Sequence, residues 1–486
     1  MDKSLNIMGI KELSCGRKSM HRKRILAWIL FILMIYLLYT PGNLWAGDEE
    51  TITPPTEMSL AQAINMALKQ NLEVKAIRAK YRSSLAQKSM ATSGFFPRID
   101  LQEIFSRSNN PVYFFGMRLN QGKFVMSDMR IDRLNDPPTL NNFLTRLKIV
   151  QPIFNGGDVW IGHQQAKLMV ESTREEKTQK EKAVILSVIE AYDGVLMARA
   201  FYGVIQDAVK TAKRHVQIAE NMYKQGLVVK SDLLSARVYL LSLQEEEIRA
   251  KNMVAVAMSA LNDAIGFPLQ WQYDLTDTMV GGPPPSQPLE TFWNQALSGR
   301  NDLKSLKFKE NAVMKEIKKS KLHYLPSVNL MGNWENYDED FADDGGKNWA
   351  LMVVANLNIF RGGYDKAKYD KAMADYERIH FLRMRMENGI RLQVKQAYLK
   401  IQTAAKQIKV AQNAVEQARE SLRIVRDRYK NRLTTMVDVL DREVALKSAE
   451  VRLTQAMYNY ETGLARLRFA IGKLSKEFPE KRKIIE

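Results

Sequence analysis

Five histidines, His21, His163, His215, His323 and His380, lie scattered along a chain of 486 residues that has a single cysteine, Cys15. No cysteine cluster and no phosphate-cradling loop accompanies them, so the residue types that carry metal, nucleophilic or phosphoryl chemistry do not gather into a motif. An enzyme, a cofactor and a metal centre are therefore not expected. The carboxylates are more informative. Asp438 and Asp441 stand three residues apart, a spacing that puts both on one helix face. Asp438 by itself also fits a helix start, where the dipole favours a negative side chain.

These groups need elements to position them, and composition limits what those elements can be. With 45% hydrophobic and 26% charged residues the chain can bury a core. One apolar run could enter a bilayer as a helix, Ile25 to Tyr39, and at 15 residues it falls short of the roughly 20 needed to span. Its flanks, His21-Arg22-Lys23-Arg24 before and Asn43-Leu44-Trp45-Ala46 after, make residues 1–46 a signal peptide with cleavage after Ala46. An uncleaved anchor is the weaker alternative. Cys15 precedes the apolar run, so lipidation is not expected and the mature chain has no disulfide. The +18 net charge is spread among acidic residues, as in Lys180-Glu181-Lys182, with no basic cluster interleaved with aromatics. That pattern describes solvated helix faces and argues against nucleic-acid binding.

The chain is duplicated. A shift of 206 positions carries Ile153-Phe154-Asn155-Gly156-Gly157 onto Ile359-Phe360-Arg361-Gly362-Gly363 and Ala264-Ile265-Gly266 onto Ala470-Ile471-Gly472. Upstream, Phe96-Pro97 matches Leu325-Pro326 at a shift of 229, so the first copy holds a longer middle. The expected organisation is a first repeat at 47–280, a Pro/Gly linker at 281–288, a second repeat at 289–473 and a basic, fraying tail at 474–486. Each repeat reads as helix, two strands and a long helical hairpin.

Val184, Val188, Ala191, Val195, Ala198, Tyr202, Ile205, Val209, Ala212, Val216, Ala219 and Tyr223 recur at alternating steps of four and three, a coiled-coil seam. The 206-residue shift lands every one of them on another apolar residue, from Ile390 to Tyr429. A helix from Asp158 to Met222 would run roughly 100 Å at about 1.5 Å per residue. Each long helix should end at a short loop, after which Ser231 or a neighbouring threonine caps the next helix. Between the helices the period drops to two. Ile99 to Arg107, Phe143 to Ile149, Val328 to Trp334 and Trp349 to Ile359 read as four strands, apolar on one face and polar on the other. An ordinary soluble sheet is the simplest reading of such strands. Their place between long hairpins in a secreted chain instead favours a lipid-facing barrel, which four strands cannot close alone, and three chains would supply twelve.

With the repeat, the two Gly-Gly turns and Asp438-Val439-Leu440-Asp441 in view, residues 57 to 473 resemble the TolC-like outer-membrane efflux proteins. The resemblance implies a mainly α protein with a β-barrel part: a trimeric α-helical barrel continuous with a 12-stranded outer-membrane barrel. It implies a passive efflux or type I secretion duct in the outer membrane of a Gram-negative-type cell, reaching into the periplasm. Its implied partners are two further copies, outer-membrane lipid, a periplasmic adaptor and an inner-membrane transporter. In the family an acidic pair lines the closed entrance, and that pair falls on Asp438 and Asp441. Tyr429, Ser231 and Asp232 fall on positions of the hairpin-tip latch, and Gly156, Gly157, Gly362 and Gly363 on strand-to-helix turns. A basic residue expected at Thr434 is absent, and Arg432 is a nearby substitute. The excursion from Ser108 to Asn142 would lie on the extracellular side. A periplasmic adaptor or structural coiled coil would share the hairpins but has no need of two strand pairs.

Overall fold

The computed structural model describes residues 55–341 and 343–479. The expected signal peptide, 1–46, lies outside the described residues. Strand β1 (Glu57–Met58) leads into helices α1 (Leu60–Gln70) and α2 (Leu72–Ser93), and β2 (Arg98–Ser108) follows. Two short helices, α3 (Pro111–Asn120) and α4 (Ile131–Asn135), precede β3 (Leu140–Asn155), and the long pair α5 (Asp158–Lys224) and α6 (Lys230–Ile265) completes the first copy. Strand β4 (Asp274–Leu275) follows, and the second copy holds α7 (Leu289–Gly299), α8 (Asn301–Leu322), β5 (Ser327–Asp338), β6 (Gly346–Asn356), α9 (Tyr364–Lys430) and α10 (Met436–Ala470). The duplication is visible in the bounds themselves. Moving α1 and α2 by 229 gives α7 and α8 end for end, and moving α5 by 206 gives α9.

The chain folds as two compact units. The first, built from Ser89–His163 and Lys318–Tyr369, carries one antiparallel sheet in the order β2-β3-β5-β6. Its register sorts side chains by face. Ile99, Ile149, Gly332 and Leu351 form one row across all four strands, and Leu101, Leu147, Trp334 and Trp349 the next. The opposite face holds Asp100, Lys148, Asn333 and Ala350 in one row and Gln102, Arg146, Glu335 and Asn348 in another. From Val328 to Trp334 the apolar side spans roughly 20 Å at about 3.4 Å per residue. Trp349, Leu351 and Val353 on that side are exposed. Strands β2 and β6 each have one neighbour, which leaves two open edges. Pro152, which cannot donate to a ladder, sits where the β3 to β5 register slips, between Pro152 and Phe154. The fourth strand stops at Asn356, short of the expected Ile359, because Asn358 and the residues after it already lead into the Gly-Gly turn. The Ser108 to Asn142 excursion is folded and contains α3, α4 and a 3-10 turn at Met126–Met129.

The second unit, whose described residues are 55–88, 164–317 and 370–479, is mainly helical. The seam positions are its interior: Val188, Val195, Ile205, Ala219, Val394, Ile401 and Leu422 are all buried. No helix among the described residues is long and apolar enough to cross a membrane. Two connecting segments pack against the helices. The 281–288 linker is held down, since Glu461 accepts from the backbone N–H groups of Val280 and Gly281, and Tyr460 donates to the Pro283 carbonyl at 3.0 Å. The tail does not fray at its start, because Leu474 and Phe478 are buried in the main core and repay the ordering of that segment.

Candidate functional site at the hairpin tips

Both hairpins turn through the same loop. In the first, Leu227 N–H donates to the Met222 carbonyl and Gly226 N–H to that of Tyr223. In the second, Leu433 N–H donates to Arg428 and Arg432 N–H to Tyr429. This is the Schellman arrangement, which needs a left-handed residue just past the helix. Gly226 supplies it with φ 69°, and Arg432 supplies it with φ 63° as the one non-glycine with positive φ among the described residues.

The next helices start differently. Thr435 caps α10: its hydroxyl accepts from the Asp438 N–H, and Asp438 answers by accepting from the Thr435 N–H at 2.9 Å. The same carboxylate oxygen also accepts from the Thr434 hydroxyl at 2.5 Å and the Thr435 hydroxyl at 2.7 Å. These bonds, those from Thr434 and Thr435 foremost, bring the Asp438 pKa down to about 2. In α6 the cap position falls on Val229, which has no side chain to offer, and the helix already includes Ser231. The expected capping role of Ser231 is therefore not found, because the helix begins one residue before it; the neighbouring threonine performs that role in the second copy.

Asp438 and Asp441 are both exposed on the first turns of α10. Tyr429 is buried, at 8% exposure, with a hydroxyl that has no hydrogen-bond partner among the described residues, whereas its counterpart Tyr223 is 40% exposed. Burial, and then the nearby charge of Asp232, push the Tyr429 pKa up. Tyr429 and Asp232, from the two hairpins, are thus neighbours within one chain. The strand-to-helix turns lie in the sheet unit. Gly156 and Gly157 take φ 60° and 80°, Gly362 and Gly363 φ 59° and 84°, so two successive left-handed residues make each corner. A Cβ on Gly156 would also lie 2.9 Å from the Leu322 carbonyl oxygen, a neighbour that the second turn lacks.

A further cluster ties the copies together near the tips and was not read from the sequence. His215 of α5 lies 3.0 Å from Glu443 of α10, and Arg426 of α9 bonds the same Glu443 oxygen. Lys447 of α10 reaches Glu246 of α6 at 2.7 Å. Burial raises the Glu443 pKa, but hydrogen bonds from His215 and Arg426 outweigh it and hold the carboxyl below its ordinary value. One signal was available: the 206-residue shift turns Glu220 and Arg237 into Arg426 and Glu443, an exchange of charge at matching positions.

Two duplicated long hairpins, together with a sheet that is apolar on one face, polar on the other and open at both edges, define the class of outer-membrane channel subunits built from helices and strands. The sequence pattern described as outer membrane efflux protein matches residues 63–267 and 293–473, and the chain belongs to that family. It is 21% identical over 436 residues to the alkaline protease secretion protein AprF of Pseudomonas aeruginosa, covering 86% of this chain and 85% of the relative. It is 19% identical over 435 residues to the proteases secretion protein PrtF of Dickeya chrysanthemi, covering 86% and 89%. Among solved structures, the CmeC outer membrane channel of Campylobacter jejuni superposes with TM-score 0.73 at 18% identity, covering 87% of this chain and 89% of that one, a likeness that shows the fold.

Proposed function

We propose that the protein is one third of a passive export duct: three copies close a twelve-stranded outer-membrane barrel and a periplasmic helical barrel of six hairpins. The observation that carries this reading is the sheet register. Continuous apolar rows on one face and charged rows on the other suit lipid outside and water inside, and two open edges need neighbours before every backbone group is satisfied. Closed-ring symmetry supplies those neighbours. Energy and cargo selection would come from an inner-membrane transporter coupled through a periplasmic adaptor, as the secretion proteins among its relatives suggest.

In this reading the α10 tip is the entrance. Asp438 stays ionised because its cap bonds lower its pKa, and Asp441 adds a second charge on the same helix face. Three chains bring six carboxylates around one axis, a field that attracts cations and repels anions. Tyr429, Ser231 and Asp232 would form the latch between neighbouring hairpins, and the four glycines the corners from barrel to helix. The test is single-channel recording of the purified protein in planar bilayers. Asp441→Ala, alone and with Asp438→Asn, is expected to weaken block by multivalent cations while leaving the trimer intact. Unchanged block would remove the pair from the entrance, and a water-soluble monomer that conducts no ions would end the reading altogether.

A further inference from the structure

The face of the sheet that carries Gln102, Arg146, Glu335 and Asn348 continues toward the Ser108 to Asn142 excursion with one further row, Ile104, Leu144, Tyr337 and Gly346, and then with Ser106 and Asn142. The excursion lies over this face. Tyr113 of α3 hydrogen-bonds the Ser106 hydroxyl, Gln121 donates to the Asn142 side-chain oxygen at 3.1 Å, and a Cβ on Gly346 would run into the Asn120 carbonyl. Leu144 and Tyr337 are buried there. Helix α3 thus crosses from the first strand of the sheet, β2, to the last, β6. Its 10 residues, about 15 Å long, match the width of four strands about 4.8 Å apart. Lys123 and Arg118 fix it at the rim through Asp338 at 2.8 Å and Glu339 at 2.6 Å.

What α3 turns away from the sheet is apolar. Phe114 is buried, while Val112, Phe115 and Leu119, at steps of three and four along one side, are exposed, as are Met126 and Ile131 beyond the helix. The place of the stripe says what covers it. In a closed ring of three copies the polar face lines the channel, so the stripe points at the axis. Twelve strands about 4.8 Å apart and tilted by about 40° give a perimeter of about 75 Å and a radius of about 12 Å. A helix laid on that wall, about 10 Å thick with its side chains, leaves no room for a layer of water on the axis. We propose, resting on the three-copy reading, that the α3 stripes of three copies meet there and form an apolar plug at the excursion end of the barrel. The partner of each stripe is the same surface of two further copies. Its role is to gate, since a narrow apolar constriction stops ions by shedding water.

Two measurements on protein purified from outer membranes test the plug. Single-channel conductance in planar bilayers is expected to rise at least about twofold in the double variant Val112→Ser with Leu119→Ser, because hydroxyls wet the constriction. Both positions are exposed in the single chain, so its folding is not at stake. Val353→Ala, at an exposed position on the other face of the sheet, should leave conductance as it is. The chain's single cysteine is Cys15, so position-specific cross-linking is available in a Cys15→Ser background. There Leu119→Cys should be joined by a short bis-maleimide into linked pairs that leave one chain of each trimer free, and Val353→Cys should not be joined. Trimers that stay unlinked at position 119, or conductance unchanged by the two serines, would overturn the plug and leave the duct standing. A protein that forms no trimer on gels run without heating would sink both.

Discussion

The two hairpins share a backbone and differ in where they hold charge. At equivalent rungs the first carries Glu220 and Arg237 and the second Arg426 and Glu443. In the first the ions stand 3.8 Å apart and are half exposed to solvent. In the second they touch, the Glu443 side chain is only 10% exposed, and His215 arrives from the other copy to share its carboxylate. The seam Leu, Val and Ala residues bury alike in both hairpins, so duplication conserved the packing while the charged rungs diverged. One rung became a solvated surface pair and the other a joint between copies.

That contrast is broken most directly by removing one carboxylate from each rung. Glu443→Ala leaves Arg426 and His215 sharing a desolvated site without an anion, and the tip is expected to open more easily by about 3 kcal/mol. Glu220→Ala should cost no more than about 0.5 kcal/mol, since an exposed pair gains little. Native-state hydrogen exchange of the amides in α6 and α10 near the tips reads both values as local opening energies. Equal costs would mean that the second rung is no more of a joint than the first. The joint should also be acid-sensitive. The Glu443 pKa is depressed in the folded chain, so its contribution is complete above the ordinary glutamate value of 4.5 and is lost as pH falls below it.

Much of this architecture can be read from the chain because it depends on local repetition. The steps of four and three from Val184 to Tyr223 fix a buried stripe wherever the helix packs, and the period of two across Val328 to Trp334 fixes which side chains share the apolar face of the sheet. The Gly-Gly corners declare themselves because no other residue takes two successive left-handed steps at low cost. What escaped depends on distance along the chain or on a single rotamer. His215 meets Glu443 across 228 positions, and nothing near either residue announces the other. The α6 cap falls on Val229, whose side chain has no hydrogen-bonding atom, because the loop geometry and not the side chain fixes where the helix begins. Leu474 and Phe478 sat in a basic tail whose charges hid two core residues. The Asp438 cap was visible as an early-turn carboxylate, but its bond to Thr434 was not, because it depends on one hydroxyl rotamer.

The cap sharpens the comparison at intermediate scale. Thr435→Val gives the second tip the first tip's start and should cost about 1 kcal/mol of local opening energy at α10. Val229→Thr should recover a similar amount at α6, because Asp232 already stands three residues on, where Asp438 stands in the other copy. A gain in the second variant without a loss in the first would show that Thr434 alone suffices to hold Asp438. The cap carries its own pH signature: with the Asp438 pKa lowered to about 2, its contribution is full above the ordinary value of 3.8 and disappears as pH falls toward 2.

The smallest expected effect concerns the turn residue itself. A left-handed conformation costs a side-chain-bearing residue roughly 1 kcal/mol, and the first tip avoids that cost with Gly226 while the second pays it at Arg432. Arg432→Gly removes the strain but gives the unfolded loop more freedom, so the net gain in the opening energy of the isolated tip should be about 0.5 kcal/mol. A strained residue that persists needs a compensating contact, and the guanidinium makes no hydrogen bond or ion pair among the described residues of its own chain. The neighbouring protomer is where that contact would form, in place of the basic residue missing at Thr434. Hydrogen exchange on the assembled trimer separates the two terms. If Arg432 bridges chains, Arg432→Gly loosens the second tip in the trimer even though it relaxes the turn; if it firms the tip there too, Arg432 has no part in the latch.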